Sequence, residues 1–255
     1  MATYKKRGSK KSISTDQVNT EASESTTAEV FEALDSSASK TEALVAKYQN
    51  VILIAIGIIA VGVLSYLGYE KFVMQPKTTE AISELNQAQY YFELAVNSED
   101  SDSLYMRALN GGEGKYGFLD IIENYGGTTA ATLATYNAGM SYLNLKDYKN
   151  AIAYLDNFNS DDILLSALSK GAIGDAFAQI GQNQEAFEYY KAASDVSDNL
   201  FSTPKYLYKA AMIGSELGKL KESLAMLKRI KSDYPMSKEF VLVTVQIGRL
   251  ETLLN

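Results

Sequence analysis

The sequence predicts an all-α protein: one membrane-crossing helix followed by a solenoid of stacked helical hairpins. Three observations carry this. Residues 48–69 hold no charged side chain. Just after them, Ala81, Leu85, Ala88, Phe92 and Ala95 recur in steps of four and three, which is one face of a helix. Farther on, small and aromatic residues return at a fixed interval of 35 positions.

The first element is YQNVILIAIGIIAVGVLSYLGY, uncharged from Lys47 to Glu70. As a helix it would be about 33 Å long at roughly 1.5 Å per residue. A bilayer's hydrocarbon core is about 30 Å, so one crossing is predicted. A buried core helix is rarely apolar on every face for so many turns. Tyr48, Tyr66 and Tyr69 stand near the ends, where amphipathic rings favour the headgroup level. The run is too long and too far from the start for a cleaved signal segment. The predicted organisation is a tail over 1–47, the anchor over 48–69, a connector with a first helical pair over 70–127, and repeats with a capping helix over 128–255.

Composition excludes much chemistry. The chain has no Cys and no His. It therefore offers no disulfide, no thiol nucleophile, no imidazole base and no His ligand for a metal. The net charge of −7 falls entirely after the anchor, as 24 acidic against 17 basic residues. An acidic domain disfavours nucleic acid as a partner. Lys5, Lys6, Arg7, Lys10 and Lys11 make the amino-terminal tip basic. The tail to about Ala28 is Ser-, Thr-, Lys- and Glu-rich and is expected to be disordered. Its tip suits anionic lipid or ribosomal RNA, or simply solvent. Val30, Phe31, Leu34, Leu44 and Val45 suggest a short amphipathic helix next. Charge does not decide orientation, because Lys40 and Lys47 on one side balance Lys71 and Lys77 on the other.

Pro76 predicts a break or kink, with a soluble helix over 78–96. Residues 108–114 read as a glycine-rich connector. With Lys115 they suggest a phosphate loop, but Leu109 and Tyr116 occupy positions where that motif needs Gly and Ser or Thr. A turn is the expectation, followed by a short helix over 117–125 closed by Gly126 and Gly127.

The repeats begin at Thr128. Gly139, Tyr142, Ala151 and Leu155 recur 35 residues on as Gly174, Phe177, Ala186 and Tyr190. A third copy, with a two-residue insertion, has Gly218 opposite Gly181, Ser223 opposite Ala186 and Leu227 opposite Tyr190. A period near 34 with small residues at fixed places is the tetratricopeptide pattern. Each copy is a helical hairpin that cannot bury its apolar face alone, so the copies stack. Gly139, Ala151, Gly174, Ala186 and Gly218 are expected to allow close packing, with Tyr142 and Phe177 filling space toward the next repeat. Thr203-Pro204 reads as an N-cap with Pro at the first helical position, and residues 237–254 as a capping helix.

Anchor and solenoid together resemble the YfgM-like proteins of Gram-negative bacteria, in particular their Bacteroidetes versions. The likeness is carried by Ala108-Leu109-Asn110-Gly111, Gly117-Phe118, Tyr125-Gly126-Gly127-Thr128, Leu133-Ala134-Thr135-Tyr136, Gly174-Asp175-Ala176, Thr203-Pro204 and Tyr234-Pro235. Thr135 departs from the bulky aromatic of the repeat consensus, as do Ala211 and Gly214 from the expected Gly and aromatic. The resemblance implies an inner-membrane protein with its amino terminus in the cytoplasm and its solenoid in the periplasm. It further implies association with the SecYEG translocon and a PpiD-like chaperone, with nascent exported polypeptide as a possible client. An envelope-assembly or secretion-machine scaffold is the alternative.

Candidate site residues follow from the groove such a solenoid presents. Tyr136, Asp175 and Tyr208 are the candidates for its lining, because tyrosine combines apolar area with a hydroxyl and suits extended chains. Asp161 and Asp162 are expected to cap the helix beginning at Ile163. No catalytic residue, cofactor site or metal site is predicted.

Overall fold

A computed structural model describes residues 26–99 and 101–255, with side chains from residue 45 onward. The expectations for the tail over 1–25, and for the side chains of Val30, Phe31, Leu34 and Leu44, lie outside the described residues. The chain divides into two compact units at Ser65 and Tyr66. Among the described residues every regular element is helical.

Helix α1, Thr26–Tyr69, contains the uncharged run and is long and apolar enough to cross a membrane. The apolar window of this span is 0 % buried. A core helix of a water-soluble domain would instead be covered. Gly57, Gly62 and Gly68 have nothing within 4 Å of a Cβ built on them.

A π-helical turn, Glu70–Met74, comes next, closed by the Gln75 N–H donating to Glu70 O, and α2 follows as Gln75–Val96. The backbone therefore stays helical through Pro76, which rules out the break of the predicted break or kink. A proline ring clashes with the carbonyl four residues back, and one wide turn removes that clash without ending the helix. Helix α2 buries Ala81, Leu85, Ala88, Tyr91 and Ala95. Helix α3, Ser101–Asn110, takes up Ala108, Leu109 and Asn110, which the sequence placed in the connector. The turn proper begins at Gly111, whose φ is 81°. A Cβ on Gly117 would strike the Leu109 carbonyl, so the backbone crosses itself where only Gly fits. Helix α4, Phe118–Asn124, is anchored by fully buried Phe118 and Ile121.

Three hairpins follow: α5 (Thr129–Asn144) with α6 (Tyr148–Asp156), α7 (Ile163–Gln179) with α8 (Asn183–Asp195), and α9 (Ser202–Glu216) with α10 (Leu220–Asp233). Helix α11, Phe240–Leu254, closes the stack against α10. This is a tetratricopeptide-type solenoid, and its hairpins turn identically. Asp147 N–H donates to Tyr142 O, Gln182 to Phe177 O and Lys219 to Gly214 O, at 2.9, 2.9 and 2.8 Å. The residue before each donor is left-handed: Lys146 (φ 62°), Gly181 (φ 76°) and Gly218 (φ 75°). This bond pattern ends a helix by satisfying its last carbonyls.

Gly218 is thus a turn residue, correcting its reading as a packing residue. A Cβ there would meet nothing within 4 Å, and its glycine serves the positive φ. Gly139 and Gly174 do lie at helix crossings, where a Cβ would come within 2.5 Å of Leu155 Cγ and 2.7 Å of the Tyr190 ring. Ala151 and Ala186 are fully buried. Tyr142 and Phe177 pack on the second helix of their own hairpin, on Tyr154 and Tyr189, each at 5.3 Å between centroids. In the third hairpin Gly214 replaces the aromatic, and Phe187 from α8 enters the space. Thr203 is not the cap of α9. Asn199 Oδ1 accepts from the Phe201 and Ser202 N–H groups instead, and Thr203 Oγ1 ties Asn199 N–H to Ser197 O.

Ser223 holds the small position of the third hairpin, and its buried hydroxyl has no hydrogen-bond partner among the described residues. Ser223→Ala restores the residue found at Ala151 and Ala186. It should stabilise the protein by about 1 kcal/mol, since an unpaired buried hydroxyl costs roughly that much or more. A urea midpoint at or below that of the parent protein would count against this packing.

Candidate functional site

The carboxyl-terminal ends of α5 and α7, the middle of α9, Tyr148 of α6 and Tyr190 of α8 bound a groove of about 520 Å³, lined by Leu143, Asn144, Lys146, Tyr148, Asp175, Ala178, Gln179, Tyr190 and Lys209. Asp175 gathers two of these side chains. The Tyr190 hydroxyl donates to Asp175 Oδ1 at 2.6 Å, and Lys209 Nζ donates to the same oxygen. Asp175 and Lys209 are 34 residues apart, close to one repeat, which places them on neighbouring first helices. The Tyr190 ring stacks on Tyr206 with centroids 6.4 Å apart and planes 15° apart. Tyr206 in turn covers Gly171, where a Cβ would fall within its ring.

The sequence-derived candidates separate. Asp175 lines this groove. Tyr208 lines a second one, bounded by α9 and the start of α11. Tyr136 lines neither, and packs its half-buried ring on Phe158 at 5.3 Å. Sequence reasoning did not single out Tyr190 or Tyr206 from the other repeat tyrosines, and it did not assign Lys209 or Gly171. The one available signal was spacing, since a residue one repeat beyond Asp175 must sit beside it on the next helix. Asp162 caps α7, accepting from Leu165 N–H at 2.9 Å.

The arrangement suits recognition. Asp175 is committed to a tyrosine and a lysine, so it is a fixed charge, and the groove it anchors is open and mixed in polarity. Burial, and after it the hydrogen bond to Asp175, pushes the Tyr190 hydroxyl above its ordinary 10.0. Burial and the Asp175 charge do the same for Tyr206. Both raised values mean that folding favours the neutral phenol. This stability is fully present below about pH 10 and is lost as pH rises further, because the unfolded chain then releases protons the folded chain retains. Urea midpoints should therefore hold steady from neutral pH to about 10 and fall above it, less steeply in Tyr206→Phe. An unchanged slope in that variant would mean Tyr206 is not the buried phenol described.

The hairpin α5–α6 decides the comparison with known proteins. Residues 134–157 match the family described as Tetratricopeptide repeat. No curated protein matches the chain. The matched stretch contains Gly139, Tyr142 and Ala151, and the hairpins α7–α8 and α9–α10 repeat its turn geometry. Such a solenoid is a protein–protein interaction scaffold, in which each hairpin adds one helix to a shared binding face.

Proposed function

We propose that this protein is an inner-membrane-anchored co-chaperone scaffold of the Sec translocon. In this reading residues 48–69 cross the membrane once, with residues 1–47 in the cytoplasm. The connector over 70–127 and the repeats over 128–255 stand in the periplasm. The solenoid engages SecYEG and a PpiD-like chaperone and offers its groove to exported polypeptide. It performs no catalysis. The observation that carries the reading is an unburied apolar helix in the same chain as a solenoid with an open groove. The resemblance to YfgM-like proteins supplies the orientation and the partners. Full-length protein solubilised in mild detergent should recover SecYEG and the chaperone. Protease added to spheroplasts should digest the solenoid and spare the tail. Absence of SecYEG from the recovered complex would move the envelope-assembly scaffold ahead, and protection of the solenoid would overturn the orientation.

A further inference from the structure

The second groove, about 620 Å³ between α9 and the start of α11, has a composition of its own. Four large apolar side chains of its lining are exposed: Leu200 at 65 %, Phe201 at 60 %, Met236 at 87 % and Leu242 at 50 %. Apolar groups clustered at a concave surface mark a binding site more often than single exposed ones do. The loops that present them are held firmly. Asn199 Oδ1 accepts two backbone N–H groups beneath Phe201, and Ser202 and Thr203 are fully buried. Beyond Met236, Ser237 Oγ accepts from Phe240 N–H. A surface ordered in advance loses little entropy when it is filled.

Charge then identifies the occupant. Lys205 and Lys238 line the groove and have no carboxylate partner among the described residues. Lys209 shares the lining but is held by Asp175. Glu239 is the single carboxylate of the lining. Lys205 rests over the Tyr206 ring, 5.3 Å from its centroid, and these two lysines, neither held by a carboxylate, form a local positive site in a region that carries 24 acidic against 17 basic residues.

We propose that this groove binds an acidic peptide segment bearing a large apolar side chain. The apolar residue seats among Leu200, Phe201 and Met236, and flanking carboxylates meet Lys205 and Lys238. An anionic bilayer is disfavoured by the concavity, because a flat surface does not reach into a groove. The assignment rests on the scaffold reading and names the chemistry of one ligand.

The test uses full-length protein in detergent micelles and a short labelled peptide of glutamates around central Leu and Phe, followed by fluorescence anisotropy. Saturable binding is expected, weakened about tenfold, which is roughly 1.4 kcal/mol, by the double change Lys205→Glu and Lys238→Glu. The double variant should favour a peptide with Lys in place of Glu. Binding should also fall in Phe201→Ser, and for a peptide with Ser in place of Leu and Phe. Phe201 and Lys238 are exposed and Lys205 is half-buried over Tyr206, and unchanged circular dichroism melts will verify folding. Equal binding by the double variant, indifference to the apolar residues, or no saturable binding would each overturn the assignment. So would recruitment only by phosphatidylglycerol vesicles, or self-association relieved by Phe201→Ser. Recovery of SecYEG without peptide binding removes this groove assignment alone, whereas peptide binding without SecYEG removes the translocon reading and leaves the groove.

Discussion

Phe187→Ala should lower the stability of the solenoid by about 3–5 kcal/mol, the usual cost of deleting a buried aromatic ring. Phe187 is 0 % exposed and belongs to the core cluster that runs from α7 to α11. Its ring reaches from α8 into the space left by Gly214 on α9, where a Cβ would come within 2.7 Å of Cε2. Lys219 and Lys191 lie over the same ring at 4.1 and 5.2 Å from its centroid. Truncation therefore opens a cavity whose far wall is a glycine, and glycine has no side chain with which to fill it. Urea denaturation followed by circular dichroism should show the loss. Combining the change with Gly214→Leu should recover part of it, since the two sites share one volume. A loss under about 1 kcal/mol would mean that the ring does not bridge the second and third hairpins.

The relation of sequence to structure is uneven for physical reasons. The membrane-length run was legible because a helix that is apolar on every face over so many turns shows directly in composition, with no periodicity to decode. The hairpins were legible because close helix crossings admit only small side chains, so Gly139 and Gly174 repeat on schedule. Gly218 was misread because a glycine chosen for its backbone and a glycine chosen for its size look alike in sequence. The equivalent turn position in the first hairpin is Lys146, which adopts φ 62° without being glycine. Helix α3 was lost because its polar start, Ser101-Asp102-Ser103, hides the short apolar face of Tyr105, Ala108 and Leu109. The groove was legible at Asp175 but not at its partners. Lys209 and Tyr190 reach it from a different first helix and from the second helix of its own hairpin, and their directions depend on how the hairpins stack.

Gly171→Leu should destabilise the protein by more than the roughly 1–3 kcal/mol usual for an overpacked core site. At Gly171 the first helices of the second and third hairpins meet, and even a Cβ would fall within the ring of Tyr206, which is 2 % exposed. Leucine is the better helix former by about 1 kcal/mol, so intrinsic propensity opposes the loss but is the smaller effect. Tyr206 cannot step aside freely, because it stacks on Tyr190, whose hydroxyl is bound to Asp175. The change should therefore move the groove as well as the melt. The Tyr190–Asp175–Lys209 cluster loses its backing, and hydrogen exchange should quicken across α7 and α9 before it quickens in α2. Tyr206→Ala in the same chain should relieve much of the clash, and the double variant should be more stable than Gly171→Leu alone. If Gly171→Leu melts with the parent protein, or if Tyr206→Ala adds its full cost to it, then α7 and α9 do not cross at this glycine.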